Sequence, residues 1–299
     1  MKKKIGILGS TGSIGKNTAK IIYNNKKDFE VIFLSTNKNV IQLYHQSIKL
    51  KPKAVIIFNN EKFVKYKERF IKKKIKVFNS FKNLKKSILN KKIDYIMCAI
   101  SGLDGLDSTI NCINNTRNIA IANKESIICA WNIIEKKLTK NKTNFIPVDS
   151  EHFSIWSLLK NEPIKNVDKI YITASGGPFL NYKFNKLKYV TPKEAINHPN
   201  WSMGKKISID SATLMNKVFE VIEAQRIFGI DIKKFRILIH PSSYIHSIVK
   251  LINGQIKIFA HDPDMKVPIF NSIYQNQIKK FNTKKIDINL LNNLNFTNV

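Results

Sequence analysis

Cysteine, arginine and long apolar runs are all scarce in this chain of 299 residues. Its three cysteines are too few and too widely spaced for a disulfide framework, and none stands in the Cys-x-x-Cys spacing of a zinc site. No apolar stretch approaches the ~20 residues that a membrane-spanning helix needs, and the N-terminal apolar run is too interrupted for a signal peptide. We therefore expect a cytoplasmic protein with no membrane partner.

Acidic residues are also few, with 21 Asp and Glu against 51 Lys and Arg and a formal net charge of +30. Such a charge normally suggests a nucleic-acid partner. Here, however, the charge is mostly lysine scattered through every segment, whereas arginine, the preferred reader of phosphate and guanine, is rare. The arginines are Arg69, Arg117, Arg226 and Arg236. We therefore predict no nucleic-acid partner.

Short apolar runs alternate with longer amphipathic segments through the first half of the chain. The runs at residues 4–8, 30–35, 54–58, 93–99 and 118–122 are typical of buried strands, and the lengths between them suit crossover helices. This alternation predicts an α/β domain over residues 1–148, with a Rossmann-like, doubly wound parallel sheet.

The second half has a different rhythm. A helix over 151–160 and a strand over 168–174 lead to a Gly-Gly-Pro turn, an irregular loop over 192–204, and one long helix over 208–228. Strands follow at 237–240, 244–252 and 255–260, the last two joined at Asn253-Gly254. We predict an α+β catalytic domain with its own sheet over 149–278, and a polar, Asn-rich linker or tail over 279–299.

A glycine-rich turn follows the first predicted strand and opens the first helix. Gly9, Gly12 and Gly15 allow the backbone to approach a pyrophosphate at the helix N-terminus. Because the spacing differs from the commoner Gly-x-Gly-x-x-Gly, a simple tight turn remains an alternative. A P-loop is excluded, since Ser10 stands at its first glycine and Asn17 at its metal-binding hydroxyl.

The end of the second predicted strand indicates which dinucleotide binds. NAD-specific sites place there a carboxylate that would repel a 2′-phosphate. This chain has Ser35-Thr36-Asn37-Lys38-Asn39 instead, which favours NADP(H). The alternative is that Lys38 is an ordinary surface lysine.

Three carboxylates suggest a metal site. Asp149 and Glu151, two residues apart after an apolar run, can face one cation, and oxygen ligands favour Mg²⁺ or Mn²⁺ over zinc. On the predicted long helix, Asn216, Lys217 and Glu220 share one face. Helix capping by Asp149 and an ordinary Lys-Glu pair are the alternatives.

Hydroxyls and bases near these carboxylates in sequence suggest an anion pocket. Ser175 lies in a glycine turn, Ser211 near the start of the long helix and His198 in the irregular loop, while Lys217 adds charge. This set predicts a phosphorylated substrate. A Ser-His-Asp hydrolase is disfavoured, since no Gly-x-Ser-x-Gly elbow is present.

Several motifs together carry a resemblance to a known family. They are Gly9 to Gly15, Ala122-Asn123-Lys124-Glu125-Ser126, Pro147-Val148-Asp149-Ser150-Glu151-His152, Ser175-Gly176-Gly177-Pro178-Phe179, His198 to Gly204, Asp210-Ser211-Ala212-Thr213, Asn216-Lys217 with Glu220, and Ile239-His240-Pro241. With these motifs in this order, the chain resembles the 1-deoxy-D-xylulose-5-phosphate reductoisomerase family from Ile5 to about Pro268.

The resemblance implies a role for each matching residue. The metal, Mg²⁺ or Mn²⁺ with Co²⁺ as a third option, would be held by Asp149, Glu151 and Glu220. Substrate would contact Lys124, Ser150, Glu151, Ser175, His198, Ser211, Asn216, Lys217 and Glu220, and Trp201 would close over it. NADPH would be bound by Gly9, Thr11, Gly12, Ser13, Ile14, Asn37, Lys38, Asn39, Asn123, Glu125 and Gly204.

The implied reaction breaks and remakes a carbon-carbon bond and reduces the resulting aldehyde, giving 2-C-methyl-D-erythritol 4-phosphate for isoprenoid synthesis. A homodimer through the second domain's sheet is also implied. The chain departs from the family at Asn37 and Val218, where glycine is usual, and family members normally continue into a C-terminal helical domain beyond Val299. The alternatives are another NADP-linked sugar or semialdehyde dehydrogenase and an inactive basic remnant of the fold.

Overall fold

A computed structural model of the protein describes residues 1–88, 92–201, 204–275, 277, 279–283 and 285–299. The chain divides into two compact units. The first consists of Met1–Val148 with Ile269–Gln277, and the second of Asp149–Pro268 with Ile278–Val299.

Strands and helices alternate through the first unit. They are β1 Lys3–Leu8, α1 Ser13–Asn24, β2 Phe29–Thr36, α2 Val40–Leu50, β3 Ala54–Ile57, α3 Asn60–Ile71, β4 Lys76–Phe78, α4 Phe81–Ile88, β5 Ile93–Cys98, α5 Asp104–Ile113, β6 Thr116–Ile121, α6 Lys124–Asn141 and β7 Asn144–Pro147. The strands form one parallel sheet in the order β4-β3-β2-β1-β5-β6-β7. The predicted doubly wound sheet is confirmed, and its order reverses beside β1, where such sheets bind nucleotides.

The strands of this sheet are apolar on both faces because helices cover both sides. In β1, Ile5, Ile7 and Leu8 are fully buried, which explains why the sequence shows continuous apolar runs and no alternation. β4 is absent from the sequence-based prediction because only Val77 and Phe78 carry its apolar signal. A pattern that short does not distinguish a strand from a loop.

The second unit mixes helices and strands. They are α7 Ser150–Leu158, β8 Val167–Ala174, α8 Pro192–Ala195, α9 Lys205–Ala212, α10 Met215–Phe228, β9 Phe235–Ile239, β10 Ile245–Leu251, β11 Ile256–Ala260, α11 Lys266–Tyr274, α12 Ile288–Asn292 and β12 Thr297–Asn298, with 3₁₀ turns at Ile164–Asn166, Phe184–Tyr189 and Ile232–Lys234. The sheet order is β11-β10-β8-β9-β12, with β8 and β9 parallel and the other pairs antiparallel. The predicted α+β part with its own sheet is confirmed.

The helix predicted over 208–228 is wrong as a single helix. Thr213 ends α9, Leu214 takes a left-handed conformation with φ of 59°, and α10 starts at Met215. One residue outside the helical region redirects the chain without disturbing the apolar periodicity on either side. Ser211 and Asn216 therefore lie on different helices. The irregular loop predicted over 192–204 likewise contains a short helix, α8.

The two compact units divide the chain differently from the predicted domains in two segments. Residues 269–277 were assigned to the second domain, but they belong to the first unit, where Ser272 Oγ lies 2.7 Å from Tyr95 Oη and the Tyr274 hydroxyl donates to Asp28 Oδ2 at 2.7 Å. The predicted tail 279–299 contributes to the second unit. Its strand β12 pairs with β9, and Phe296 stacks on His240 with ring centroids 4.5 Å apart.

None of the helices in the described part of the chain has the length and apolar content that a membrane crossing requires.

Candidate functional site

The glycine turn between β1 and α1 is packed too closely for side chains. Gly9 has φ of +74°, and a Cβ on it would lie 2.6 Å from Ala99 O. A Cβ on Gly15 would lie 2.2 Å from Gly9 O. Gly12 precedes α1, and no side chain in the described part of the chain caps this helix. The N–H groups of the first turn are therefore suited to an anion such as a pyrophosphate.

The end of β2 is tied to this turn. Ser35 Oγ accepts a hydrogen bond from Gly9 N at 2.8 Å, and Thr11 Oγ1 lies 2.8 Å from Thr36 Oγ1. The next residues, Asn37, Lys38 and Asn39, are exposed, and Asn39 caps α2 by accepting from Gln42 N. The cation of Lys38 thus follows directly on the strand end that borders the glycine turn.

Asn123 organises a second loop of the same unit. Its Oδ1 accepts from Ser126 N at 2.9 Å at the start of α6, and its Nδ2 donates to Ile100 O and Gly102 O, each at 2.6 Å. The amide thus fastens the loop after β5 to the helix. Lys124 and Glu125 are the first two residues of that helix.

Three carboxylates meet in the second unit. Asp149 caps α7 by accepting from Glu151 N at 3.2 Å, Glu151 lies in the first turn of that helix, and Glu220 comes from α10. One oxygen of each lies within 4.8 Å of the others. Glu151 is 8% exposed and Glu220 1% exposed. Three hard oxygen donors from two helices fit a single divalent cation such as Mg²⁺ or Mn²⁺.

Lys217 lies against two of these carboxylates. Its Nζ is 2.9 Å from Glu151 Oε1 and 2.5 Å from Glu220 Oε2. Burial lowers the pKa of Lys217, but the carboxylates of Glu151 and Glu220 outweigh it and raise the pKa, so the side chain stays charged. Burial and the charge of Glu220 raise the pKa of Glu151 to about 7, against the opposing effect of Lys217.

Polar side chains also bind oxygens of the same two carboxylates. The Ser150 hydroxyl donates to Glu151 Oε2 at 2.6 Å, and Asn216 Nδ2 donates to Glu220 Oε1. Both residues were predicted to bind substrate. In this structure they hold the carboxylates in place.

The four residues predicted for the anion pocket come from four segments, namely the turn after β8, the segment before α9, α9 itself and α10. Ser175 Oγ lies 2.9 Å from His198 Nε2. Ser175 opens a turn in which Gly177 has φ of +68°, and a Cβ on Gly177 would lie 3.0 Å from Ser211 O. Burial and the charge of Lys217 lower the pKa of His198. The two serines, the histidine and the lysine are therefore parts of one neighbourhood.

Trp201 packs on a pair of histidines from the sheet and the segment that follows it. Its ring centroid lies 6.0 Å from that of His246, and His246 stacks on His261 at 3.8 Å. Burial, with a smaller contribution from His261, lowers the pKa of His246 well below the usual histidine value. Trp201 therefore lies against an uncharged aromatic surface.

Sequence comparisons agree with this geometry. Residues 5–131 match the profile of the 1-deoxy-D-xylulose 5-phosphate reductoisomerase family, and residues 145–228 match that of the C-terminal domain of 1-deoxy-D-xylulose 5-phosphate reductoisomerase. A curated 1-deoxy-D-xylulose 5-phosphate reductoisomerase from Pelagibacter ubique is 55% identical over 298 residues, which are 99% of this chain and 77% of the relative. The chain belongs to this reductoisomerase family.

Solved structures of the reductoisomerase family show the same fold. The enzyme from Zymomonas mobilis in complex with NADPH has a TM-score of 0.90 at 33% identity, over all of this chain and 77% of that one. A reductoisomerase in complex with NADPH, fosmidomycin and magnesium has a TM-score of 0.91 at 30% identity, over 99% of this chain and 75% of that one. The family resemblance read from the motifs is confirmed.

The predicted site residues of this reductoisomerase fall into two groups. The first unit holds Gly9, Thr11, Gly12, Ser13, Ile14, Asn37, Lys38, Asn39, Asn123, Lys124 and Glu125. The second unit holds Asp149, Ser150, Glu151, Ser175, His198, Trp201, Gly204, Ser211, Asn216, Lys217 and Glu220. Gly204 precedes α9 at its N-terminus, and Ser202 and Met203 of the same motif lie outside the described residues.

Two residues close to the carboxylates were given no role by the sequence. His152 Nε2 donates to the backbone oxygen of Glu220 at 2.8 Å, because a carbonyl can only accept. Its Nδ1 lies 3.5 Å from Asp149 Oδ1 and 3.6 Å from Glu223 Oε2. His152 thereby connects α7 to α10 behind the cluster. The available signal was spacing, since Glu223 follows Glu220 by three residues on α10.

Proposed function

We propose that this chain converts 1-deoxy-D-xylulose 5-phosphate into 2-C-methyl-D-erythritol 4-phosphate with NADPH and a divalent cation, a reaction of isoprenoid synthesis. The observation that carries the proposal is the cluster of Asp149 with the buried Glu151 and Glu220, and with Lys217 against the two buried carboxylates. An ordinary dehydrogenase has no need of three clustered carboxylates, because hydride transfer by itself requires no metal. A rearrangement that proceeds through neighbouring oxygens of a sugar does need a metal site.

In this proposal Asp149, Glu151 and Glu220 hold the cation, with Mg²⁺, Mn²⁺ and Co²⁺ as candidates. When bound, the cation acts as a Lewis acid on the substrate's carbonyl and hydroxyl oxygens. Asn216 and Ser150 keep the carboxylates oriented through the hydrogen bonds described above. Preorganised ligands of this kind reduce the reorganisation that cation binding requires.

The substrate's phosphate is bound by the hydroxyls and the charge of the second unit. Ser175 and Ser211 supply short hydroxyl groups, and Lys217 supplies a buried cation. Lys124 contacts the sugar portion, and Trp201 closes over it and excludes water. These roles follow the family resemblance and agree with the burial and charge of the side chains.

NADPH is bound by the first unit in this proposal. The packed glycine turn at Gly9, Gly12 and Gly15 accepts the pyrophosphate at the start of α1. Lys38 and the amides on either side of it suit a 2′-phosphate. The cofactor supplies the hydride that reduces the rearranged aldehyde.

A homodimer and a cytoplasmic location complete the proposal. The edge strand β11 exposes Ile256 at 62% and Ile258 at 55%. An edge strand with apolar side chains is a template for pairing with a second chain. Sedimentation equilibrium should give a dimer mass for the parent chain and a lower mass for Ile258→Lys.

The test is NADPH oxidation by the purified chain with 1-deoxy-D-xylulose 5-phosphate. We expect turnover with Mg²⁺ or Mn²⁺ that EDTA abolishes, and a loss of about 10²-fold or more in Glu220→Gln, because a ligand charge is removed. Glu194→Gln, at an exposed capping box and outside the carboxylate cluster, is the matched control and should keep full activity.

Other outcomes separate the rival functions. Full activity in EDTA on a sugar or semialdehyde would indicate another NADP-linked dehydrogenase. No NADPH binding and no turnover with any of the three metals would indicate an inactive basic remnant of the fold.

A further inference from the structure

His198 makes hydrogen bonds through both of its ring nitrogens. Nδ1 lies 3.1 Å from the backbone N of Asn200 and 3.0 Å from that of Trp201. Nε2 lies 2.9 Å from Ser175 Oγ. The ring therefore bridges the turn that follows β8 and the segment that carries Trp201.

These contacts determine where the ring carries its proton. A backbone N–H can only donate, so Nδ1 must offer its lone pair to Asn200 and Trp201. The single proton of the neutral ring is then on Nε2, which donates to Ser175 Oγ. Burial, which lowers the pKa of His198, agrees with a neutral ring.

The direction of the Ser175 hydroxyl follows from this tautomer. Ser175 Oγ accepts from Gly177 N at 3.1 Å as well as from His198. Its two lone pairs are then both in use, so the hydroxyl hydrogen must point away from both donors. Among the residues that the structure describes, the Ser175 hydroxyl hydrogen is thereby left without an acceptor and can be donated to a ligand.

Residues 199–201, here called the Trp201 segment, have a second attachment next to the first. Asn200 Nδ2 donates to Pro241 O and, at 3.1 Å, to Ser243 Oγ in the turn after β9. The N–H groups two and three residues beyond His198 bind to Nδ1 in the manner of an Asx turn, in which Asn or Asp normally supplies the acceptor. The substitution His198→Asn would therefore preserve the acceptor face of the ring, and His198→Gln would preserve the donor face.

We propose that His198 is a positioning residue: its Nδ1 anchors the Trp201 segment, and its Nε2–H turns the Ser175 hydroxyl outward to donate to a phosphate oxygen. The sequence had suggested a direct phosphate ligand. The anchoring half stands on the hydrogen bonds alone, whereas the phosphate half rests on the proposed function.

The first experiment reads the tautomer directly in the purified chain at neutral pH. Two-bond ¹H–¹⁵N correlation spectra of ¹⁵N-histidine-labelled protein, assigned with a His198→Asn sample, should show a lone-pair nitrogen at Nδ1 and a protonated nitrogen at Nε2. The opposite tautomer, or a doubly protonated ring, would overturn the proposal. This result does not depend on any enzymatic activity.

The second experiment separates the two faces of the ring by substitution. His198→Asn keeps the acceptor for Asn200 and Trp201 and loses the donor to Ser175, so we expect kcat within about threefold and KM for the substrate raised about tenfold. His198→Gln keeps the donor and loses the acceptor, so kcat should fall about tenfold or more with a smaller rise in KM. Mn²⁺ binding equal to that of the parent chain verifies folding.

Equal increases in KM for both variants with kcat unchanged would instead indicate a direct phosphate ligand and would overturn the proposal. If the parent chain shows no turnover, inorganic phosphate serves as the probe. Its affinity should then fall in Ser175→Ala and in His198→Asn, and remain in His198→Gln. Equal loss of phosphate affinity in both His198 variants would again contradict the positioning role.

Discussion

The two units of the chain form their proposed sites from different chemical groups. In the first unit the glycine turn presents backbone N–H groups, and its shape depends on the absence of side chains at Gly9 and Gly15. In the second unit the site consists of side-chain charges that come from α7 and α10, about seventy residues apart. A backbone site is therefore sensitive to added volume, and a charge site to lost or added charge.

Added volume at Gly15 should have the largest effect and tests the first half of this comparison. Gly15→Ala places a Cβ against Gly9 O, so the turn must open, and we expect NADPH affinity to fall about 100-fold. Mn²⁺ binding in the second unit should persist. Isothermal titration with NADPH and electron paramagnetic resonance of Mn²⁺ measure the two separately.

Gly12→Ala is the control for folding of the turn and not for NADPH affinity, because Gly12 belongs to the proposed nucleotide site but a Cβ there would meet Gly9 O at an ordinary 3.5 Å. Its effect on stability should be small. Equal losses of stability in Gly12→Ala and Gly15→Ala would mean that the flexibility of glycine, and not the space around it, determines the conformation of the turn.

Removing the charge of Lys217 tests the second half. Lys217→Met takes away a cation that lies against Glu151 and Glu220, so the metal-free protein should lose stability and its affinity for Mn²⁺ should rise about tenfold. NADPH affinity should not change. The control is Lys250→Met, which breaks an exposed pair with Asp168. Weaker Mn²⁺ binding in Lys217→Met would show that the lysine organises the carboxylates instead.

Acid should destabilise the second unit through its buried histidines. The pKa of His246 and that of His261 are lowered in the folded state, so unfolding takes up protons below the usual histidine pKa of about 6.5. Stability is then full above pH 6.5 and falls as the pH drops, by up to about 1.4 kcal/mol per pH unit for each histidine.

The pH dependence of stability is measured by denaturant unfolding, followed by tryptophan fluorescence, in the parent chain and in His246→Gln. In the metal-free protein Glu151 acts in the opposite sense, since its pKa of about 7 favours the folded state at low pH. Taking the difference between the two chains cancels that contribution. An identical pH slope in both would refute the role of His246.

The smallest expected effect concerns the C-terminal segment. Phe296→Ala removes the ring stacked on His240, and we expect the free energy of unfolding to fall by about 1 kcal/mol. Phe184→Ala, at a side chain that is 90% exposed, should leave stability unchanged. An unchanged free energy of unfolding in Phe296→Ala would support the predicted linker or tail over residues 279–299.

Patterns that repeat over several residues were read correctly from the sequence. The apolar runs of β1, β2, β3, β5 and β6 predicted the parallel sheet, since burial on both faces makes such strands continuously apolar. Features of one to three residues were not predicted from the sequence. The three-residue β4, the break at Leu214 and the two-residue β12 carry no periodic signal, so only packing reveals them.

Residue identity alone determined the composition of both proposed sites. Glycines that leave no room for a Cβ mark the proposed nucleotide turn, and carboxylates with a lysine and two serines mark the proposed metal and phosphate site, because few other side chains can do either task. Tertiary structure decided what these residues touch. The contacts of Lys217 with Glu151, of His152 with Glu220 and of Ser175 with His198 join distant segments. They depend on how the helices and turns pack and leave no trace in local sequence.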